Sequence, residues 1–173
     1  MGRDKALLDI EGTPLALRVA AQIGKVCGSV SLVGDPIKYG HLTLPVVPDA
    51  FPGEGPLAGI EAALRSTTAD FNLVVACDMP ELNGSMLEAL FAVLERETQA
   101  ECALPEYEDG RTEPLCAVYH RRCHPAILNA LEAGVRRVKD VLQTLELTYI
   151  PVAASAPFAN LNTPEDLRKY THG

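Results

Sequence analysis

Asn72-Leu73-Val74-Val75-Ala76-Cys77-Asp78-Met79-Pro80 is the stretch from which the fold can be read. Residues 72–77 form an apolar run of strand length, suited to a sheet covered on both faces. Asp78-Met79-Pro80 stops it and leaves the Asp78 carboxylate at the mouth of the sheet. On its N-terminal side, residues 56–66 (PLAGIEAALRS) predict a helix starting at Pro56. On its C-terminal side, residues 84–96 (GSMLEALFAVLER) predict an amphipathic helix, with Ser85 as cap and Glu88 at capping-box spacing. Further out, helices are expected over 14–25, 124–133 and 137–145, and strands over 29–33, 46–47, 100–104, 115–119 and 148–152. An acidic loop spans Glu106 to Glu113. Thr163-Pro164-Glu165-Asp166 opens a last helix with a Thr cap. Alternating strands and helices predict an α/β domain with a mainly parallel sheet. Ligands of such sheets bind beyond the carboxyl ends of the strands. That directs attention to Gly34-Asp35, to Asp49 through Gly59, and to Asp78.

The 173 residues amount to one domain, with enough chain to bury a core. A net charge of −8, from 15 Lys+Arg against 23 Asp+Glu, argues against a general nucleic-acid binder. It leaves room for a small anionic substrate met by a few placed cations or a metal. No apolar run reaches membrane-spanning length. The five cysteines are odd in number and contain no CxxC pair, which points to a reducing compartment. With no signal peptide at the N-terminus, the expected location is cytoplasmic.

Five groups of residues could carry chemistry. Asp78 can hold Mg²⁺, which takes one or two protein carboxylates together with substrate phosphates. Its plainer role is to end a strand and cap a turn. Phe51-Pro52-Gly53-Glu54-Gly55-Pro56-Leu57-Ala58-Gly59 is a glycine-bearing loop running into a helix N-terminus. It offers free N–H groups and a positive dipole end to an anion or base edge. Lys5 is either solvated surface or a point charge for a phosphate. Cys116, His120, Cys123 and His124 are potential zinc ligands, but their spacing fits no standard finger, and buried thiols with surface histidines is the favoured reading. Asn160 and Asn162 alternate onto one face of an extended segment. There they either satisfy the turn or complete a polar site near Asp78.

Taken in order, Met1-Gly-Arg-Asp-Lys-Ala-Leu-Leu8, Asp49…Gly55-Pro-Leu-Ala-Gly59, Cys77-Asp-Met-Pro80 and Asn160-Leu-Asn-Thr-Pro-Glu-Asp-Leu167 resemble the molybdenum cofactor guanylyltransferases over essentially the whole chain. The resemblance implies a Rossmann-like, three-layer nucleotidyltransferase fold. It also implies transfer of GMP from GTP·Mg²⁺ to the phosphate of a molybdopterin carrying molybdenum, with release of pyrophosphate. By the same resemblance Lys5 contacts phosphate, Asp49 and Gly55-Pro56-Leu57 belong to the guanine-nucleotide site, and Asp78 binds Mg²⁺ and nucleotide. Asn160 and Asn162 lie near the active site, and Arg136-Arg137 face the pterin phosphate. Molybdoenzymes or their chaperones would be downstream partners. Joining two polyanions calls for charge neutralisation and in-line placement rather than a protein nucleophile, which suits this set.

Two features depart from the family. Val33 stands where some members carry an asparagine that contacts nucleotide. The family's apolar first strand and LAGGxSxR loop would precede Met1, so the single nucleotidyltransferase domain, 1–173, is expected to lack its first strand. Poor GTP binding by this form is the corresponding expectation, whether the start site was assigned late, the chain was shortened or the protein is degenerate. Competing readings are a cytidylyltransferase acting on the same or another phosphorylated acceptor, and a non-catalytic protein that binds and delivers the cofactor.

Overall fold

A computed structural model describes residues 4–153. The described residues begin with a 3₁₀ turn, Lys5–Leu7, followed by a hairpin of two-residue strands, β1 (Asp9–Ile10) and β2 (Thr13–Pro14). Helix α1 (Leu15–Ile23) then leads to β3 (Leu32–Val33), the short helix α2 (Pro36–Tyr39) and β4 (Val46–Val47). Helix α3 (Pro56–Arg65), β5 (Phe71–Val75) and α4 (Gly84–Arg96) follow. The remainder is β6 (Cys102–Tyr107), β7 (Cys116–His120), α5 (His124–Glu132), α6 (Val138–Leu142) and β8 (Leu147–Val152).

The main sheet has the order β5-β7-β6-β8. Strand β7 runs antiparallel to both β5 and β6, while β6 and β8 are parallel. Three of the four strands therefore share one direction, and β7 is the reversed member. Strands β3 and β4 form a separate parallel pair, with Leu32 opposite Val46 and Val33 opposite Val47.

Period-two alternation divides the sheet between two helical layers. Cys116 and Val118 of β7, Ala103 and Tyr107 of β6, and Leu73 and Val75 of β5 pack with Leu87, Leu90, Val93 and Leu94 of α4 and Val19 of α1. Ala117 and Tyr119 of β7 and Cys102 and Leu104 of β6 turn the other way. They meet Leu57, Ile60 and Leu64 of α3, Ile127 and Leu131 of α5, and Val141 and Leu142 of α6. This is a three-layer α/β arrangement. Leu87 and Leu90 are fully buried, and each contributes about 1.5–3 kcal/mol through removal of apolar surface from water.

Several elements differ from the sequence expectation. The strand expected over 29–33 is confined to Leu32–Val33. Ser85 is not the cap of α4: Asn83 is, with its side chain accepting the Ser85 N–H at 2.9 Å. The amide oxygen two residues upstream reaches the first-turn donor before the Ser85 hydroxyl can act. The acidic loop is shorter than expected, because β6 continues through Glu106 and Tyr107 alongside β8 before a turn at Gly110. Strand β5 is half-buried along its length rather than fully covered, since among the described residues it pairs only with β7. The helix expected from Thr163, together with Asn160 and Asn162, lies outside the described residues. Among the described residues no helix is long and apolar enough to cross a membrane.

Candidate active site

Strand β5 ends at Val75, and the chain turns through Cys77 and Asp78. The Lys5 ammonium meets Asp78 there, Nζ to Oδ2 at 2.8 Å, joining residues 73 positions apart. Both side chains are partly covered, Asp78 more than Lys5. The 3₁₀ turn that carries Lys5 exists because Asp4 caps it, its carboxylate accepting the Ala6 N–H at 3.0 Å.

Asp4 also binds the segment that follows β3. The Tyr39 hydroxyl donates to Asp4 Oδ2 at 2.6 Å, and Lys38 pairs with the same oxygen. Burial pushes the Asp4 carboxyl up, but the hydrogen bonds from Lys38, Tyr39 and the Ala6 N–H outweigh it and hold the group below its usual range. Ala6, Ala16 and Leu42 form a small apolar cluster beneath this junction, with Leu32, Tyr39 and Cys77 against it. Residues 4–6 thus tie the end of β3 to the end of β5. Gly34, immediately after β3, permits the close approach: a Cβ built there would stand 2.5 Å from Tyr39 Cε2. Asp35 is committed to capping α2, accepting the Ile37 N–H at 2.8 Å.

Beyond β4 lies the loop ending in Gly55-Pro56-Leu57. Asp49 shapes its beginning, Oδ1 accepting the Phe51 N–H at 2.7 Å. Gly53 and Gly55 have φ of +86° and +82°, a conformation that favours glycine. Gly55 is the residue before α3, and it offers no side chain to cap the helix. Pro56 has no N–H and the Ala58 N–H is taken by the Gly55 carbonyl at 3.2 Å, which leaves the Leu57 N–H as the first-turn donor among the described residues. Leu57 is buried in the α3/α5 core and fixes the first turn.

Arg136 is engaged. Its Nε pairs with Glu54, and its Nη1 donates to the carbonyls of Leu131 and Val135 at 2.8 and 3.0 Å. Arg137 precedes α6. The structure brings Lys5 and Asp78 into contact and links Arg136 to the Gly53–Gly55 loop. Sequence reasoning missed Asp4, Lys38, Tyr39 and Glu54. Asp4 adjoins the lysine already singled out, and Glu54 sits between the two loop glycines.

A divalent cation suits Asp78. One of its carboxylate oxygens takes Lys5, while Oδ1 accepts no hydrogen bond among the described residues. No group of three or more His, Cys, Asp or Glu gathers as a metal cage among those residues. A single hard oxygen donor is what a cation shared with substrate phosphates requires. Burial, then the charges of Asp78 and Asp4, push the neighbouring Cys77 thiol up to about 11, so it stays protonated and is a poor nucleophile.

The potential zinc ligands are placed otherwise. Cys116 and Cys123 are fully buried, and the Cys123 thiol faces the Glu101 carbonyl at 3.0 Å. His120 Nδ1 accepts the Arg122 N–H at 3.1 Å. His124, half-buried rather than on the surface, is 2.9 Å from the buried Glu61 carboxylate.

Comparison with known proteins bears on the fold and the family. Residues 1–148 match the model of the MobA-like NTP transferase domain. A probable molybdenum cofactor guanylyltransferase of Trichormus variabilis is 34% identical over 173 residues, spanning 96% of this chain and 82% of that protein. One of Nostoc sp. is 35% identical with the same coverage. The crystal structure of molybdopterin-guanine dinucleotide biosynthesis protein A from Archaeoglobus fulgidus superimposes with a TM-score of 0.81 at 26% identity, over 97% of this chain and 89% of that one. The 2-C-methyl-D-erythritol 4-phosphate cytidylyltransferase of Thermus thermophilus, at 16% identity and a TM-score of 0.72 over 96% and 92% of the two chains, shares the fold. With residues 1–148 matched by the domain model and a 34%-identical relative covered to 82% of its length, the chain belongs to the MobA-like NTP transferase family of nucleotidyltransferases.

Proposed function

We propose that the chain transfers GMP from GTP to the phosphate of a molybdopterin-type acceptor, forming a guanine dinucleotide and pyrophosphate. An acceptor phosphate oxygen attacks the α-phosphorus and forms the new P–O bond. The bond from that phosphorus to the bridging oxygen breaks, and pyrophosphate leaves with the electron pair. The observation that carries this reading is the Lys5–Asp78 contact at the end of β5, at 2.8 Å.

Lys5 supplies a cation to the phosphates in a protein that is otherwise acidic, with a net charge of −8. Asp78 would hold the metal through its second oxygen. Mg²⁺ bound there would neutralise phosphate charge and help align the displaced groups. The loop from Asp49 through Gly55-Pro56-Leu57 receives the base, and the Leu57 N–H in the first turn of α3 offers a donor to its edge. Arg137, with Asn160 and Asn162 as the family resemblance implies, serves the acceptor side.

The test is GMP transfer from labelled GTP, run beside CTP, with Mg²⁺ and molybdopterin. Asp78→Asn is expected to lower transfer by at least about 100-fold, in line with loss of a group that stabilises transition-state charge. Equal turnover of CTP would assign the cytidylyl reaction instead. Acceptor binding without any nucleotide transfer, unchanged by Asp78→Asn, would assign a binding role.

A further inference from the structure

The contact between Glu54 and Arg136 joins the nucleotide loop to the far end of the α3/α5 layer, across 82 residues of sequence. Glu54 stands between two glycines in the left-handed region, φ +86° and +82°. Neither glycine is crowded, since a Cβ built on either would meet nothing within 4 Å. They are therefore two backbone swivels rather than close-packing points. Local bonds hold the backbone on either side of the glycines: the Phe51 N–H on Asp49, the Glu54 N–H on the Phe51 carbonyl at 3.1 Å, and the Ala58 N–H on the Gly55 carbonyl at 3.2 Å, while Arg65 donates to the Pro48 carbonyl at 2.9 Å. Arg136 is the distant tether, and it is itself well placed. Its Nη1 caps the Leu131 and Val135 carbonyls at the end of α5, where a cation is favoured.

We propose that Arg136 is a positioning residue for the nucleotide loop. By pairing with Glu54 it locks the Gly53–Gly55 segment in the conformation that presents the α3 N-terminus to the base, and so it governs nucleotide affinity rather than capture of the acceptor phosphate. The assignment rests on the nucleotidyl-transfer reading for the identity of the ligand, but the tether itself does not.

The first measurement is backbone hydrogen exchange over residues 50–58 in the nucleotide-free chain. Glu54→Gln is expected to exchange about three- to fivefold faster there than wild type, as for loss of a half-exposed ion pair, with the rest of the chain unchanged. It leaves the Arg136 bonds to Leu131 and Val135 intact, so a fold defect is not at issue. Equal exchange in the two proteins overturns the proposal, whatever the protein's substrate. The second measurement is a cycle of Glu54→Gln, Arg136→Gln and the double variant, read as the KM for GTP, the KM for acceptor and kcat. Each single variant is expected to raise the GTP KM by about three- to fivefold, and the double by no more than either, with the acceptor KM and kcat at saturation held. A raised acceptor KM with an unchanged GTP KM, or effects that multiply in the double variant, overturns it. Binding of CTP in place of GTP by wild type would refute the guanylyl reading alone, and exchange over residues 50–58 would still decide the tether.

Discussion

A single methyl group decides much around Gly34. Added there, it would lie 2.5 Å from the Tyr39 ring, and that ring carries the hydroxyl bonded to Asp4. Gly34→Ala is therefore expected to push Tyr39 away, loosen the turn that presents Lys5, and reduce transfer more than it reduces stability. The comparison is kcat/KM against urea midpoint. A drop in midpoint with kcat/KM intact would show that Tyr39 yields without moving Lys5. Lys5→Ala removes the cation itself and is expected to cost about 100-fold in kcat, measured at saturating GTP and acceptor. Asp78 and Lys5 could each be singled out in the sequence, the first by ending an apolar run and the second by its place in the resemblance. Their contact across 73 residues could not, because pairing depends on which strand ends the fold brings together. Glu54 and Arg136 escaped notice as a pair for the same reason.

At the scale of elements, local chemistry sets the boundaries. Helix α4 begins where Asn83 accepts the Ser85 N–H, and its Leu87, Leu90 and Leu94 then repeat at helical spacing into the core. Asn83→Ala is expected to cost about 1 kcal/mol, read as a lower midpoint in denaturant with an unchanged slope. Ser85→Ala should cost less, since its N–H is what the cap uses. The helices and the central strands were legible because burial imposes a period on them. The extent of β3 was not legible, because a two-residue pairing is decided by the partner, here Val46 and Val47. The continuation of β6 through Glu106 and Tyr107 reflects its ladder with β8, a contact that outweighs the acidic composition of that stretch.

For the whole molecule, buried thiols impose a limit on the alkaline side. Burial pushes Cys116 up to about 12, with the Glu113 charge adding to it, and burial then the Glu101 charge push Cys123 up to about 12. Both side chains are fully buried in the native sheet and its adjoining turn. In the unfolded chain they titrate near the ordinary value of 9.0. Their folded pKa values lie above the unfolded one, so the native state retains protons that the unfolded state releases. Stability is then unaffected below pH 9 and falls as pH rises from there toward 12, with a slope on the order of 1 kcal/mol per pH unit for each thiol. Urea midpoints between pH 8 and pH 10.5 test this. Cys116→Ala should be less stable at pH 8 yet show a shallower decline.

The reversed strand β7 has a consequence for how the chain is made. It lies between β5 and β6, with Phe71 opposite His120 and Cys102 opposite Tyr119, although both neighbours precede it in sequence. Among the described residues, β5 and β6 emerge during synthesis before any of their hydrogen-bonded partners in the main sheet, and the strand that joins them arrives last of the three. Strand β8 must then travel back to the other side of β6. Assembly therefore waits on distant pairings, which slows it relative to a fold of local contacts. A nascent chain halted before Cys116 would hold α4 complete but have no β7 surface, leaving Leu87, Leu90 and Leu94 exposed to chaperones and to other unfinished chains.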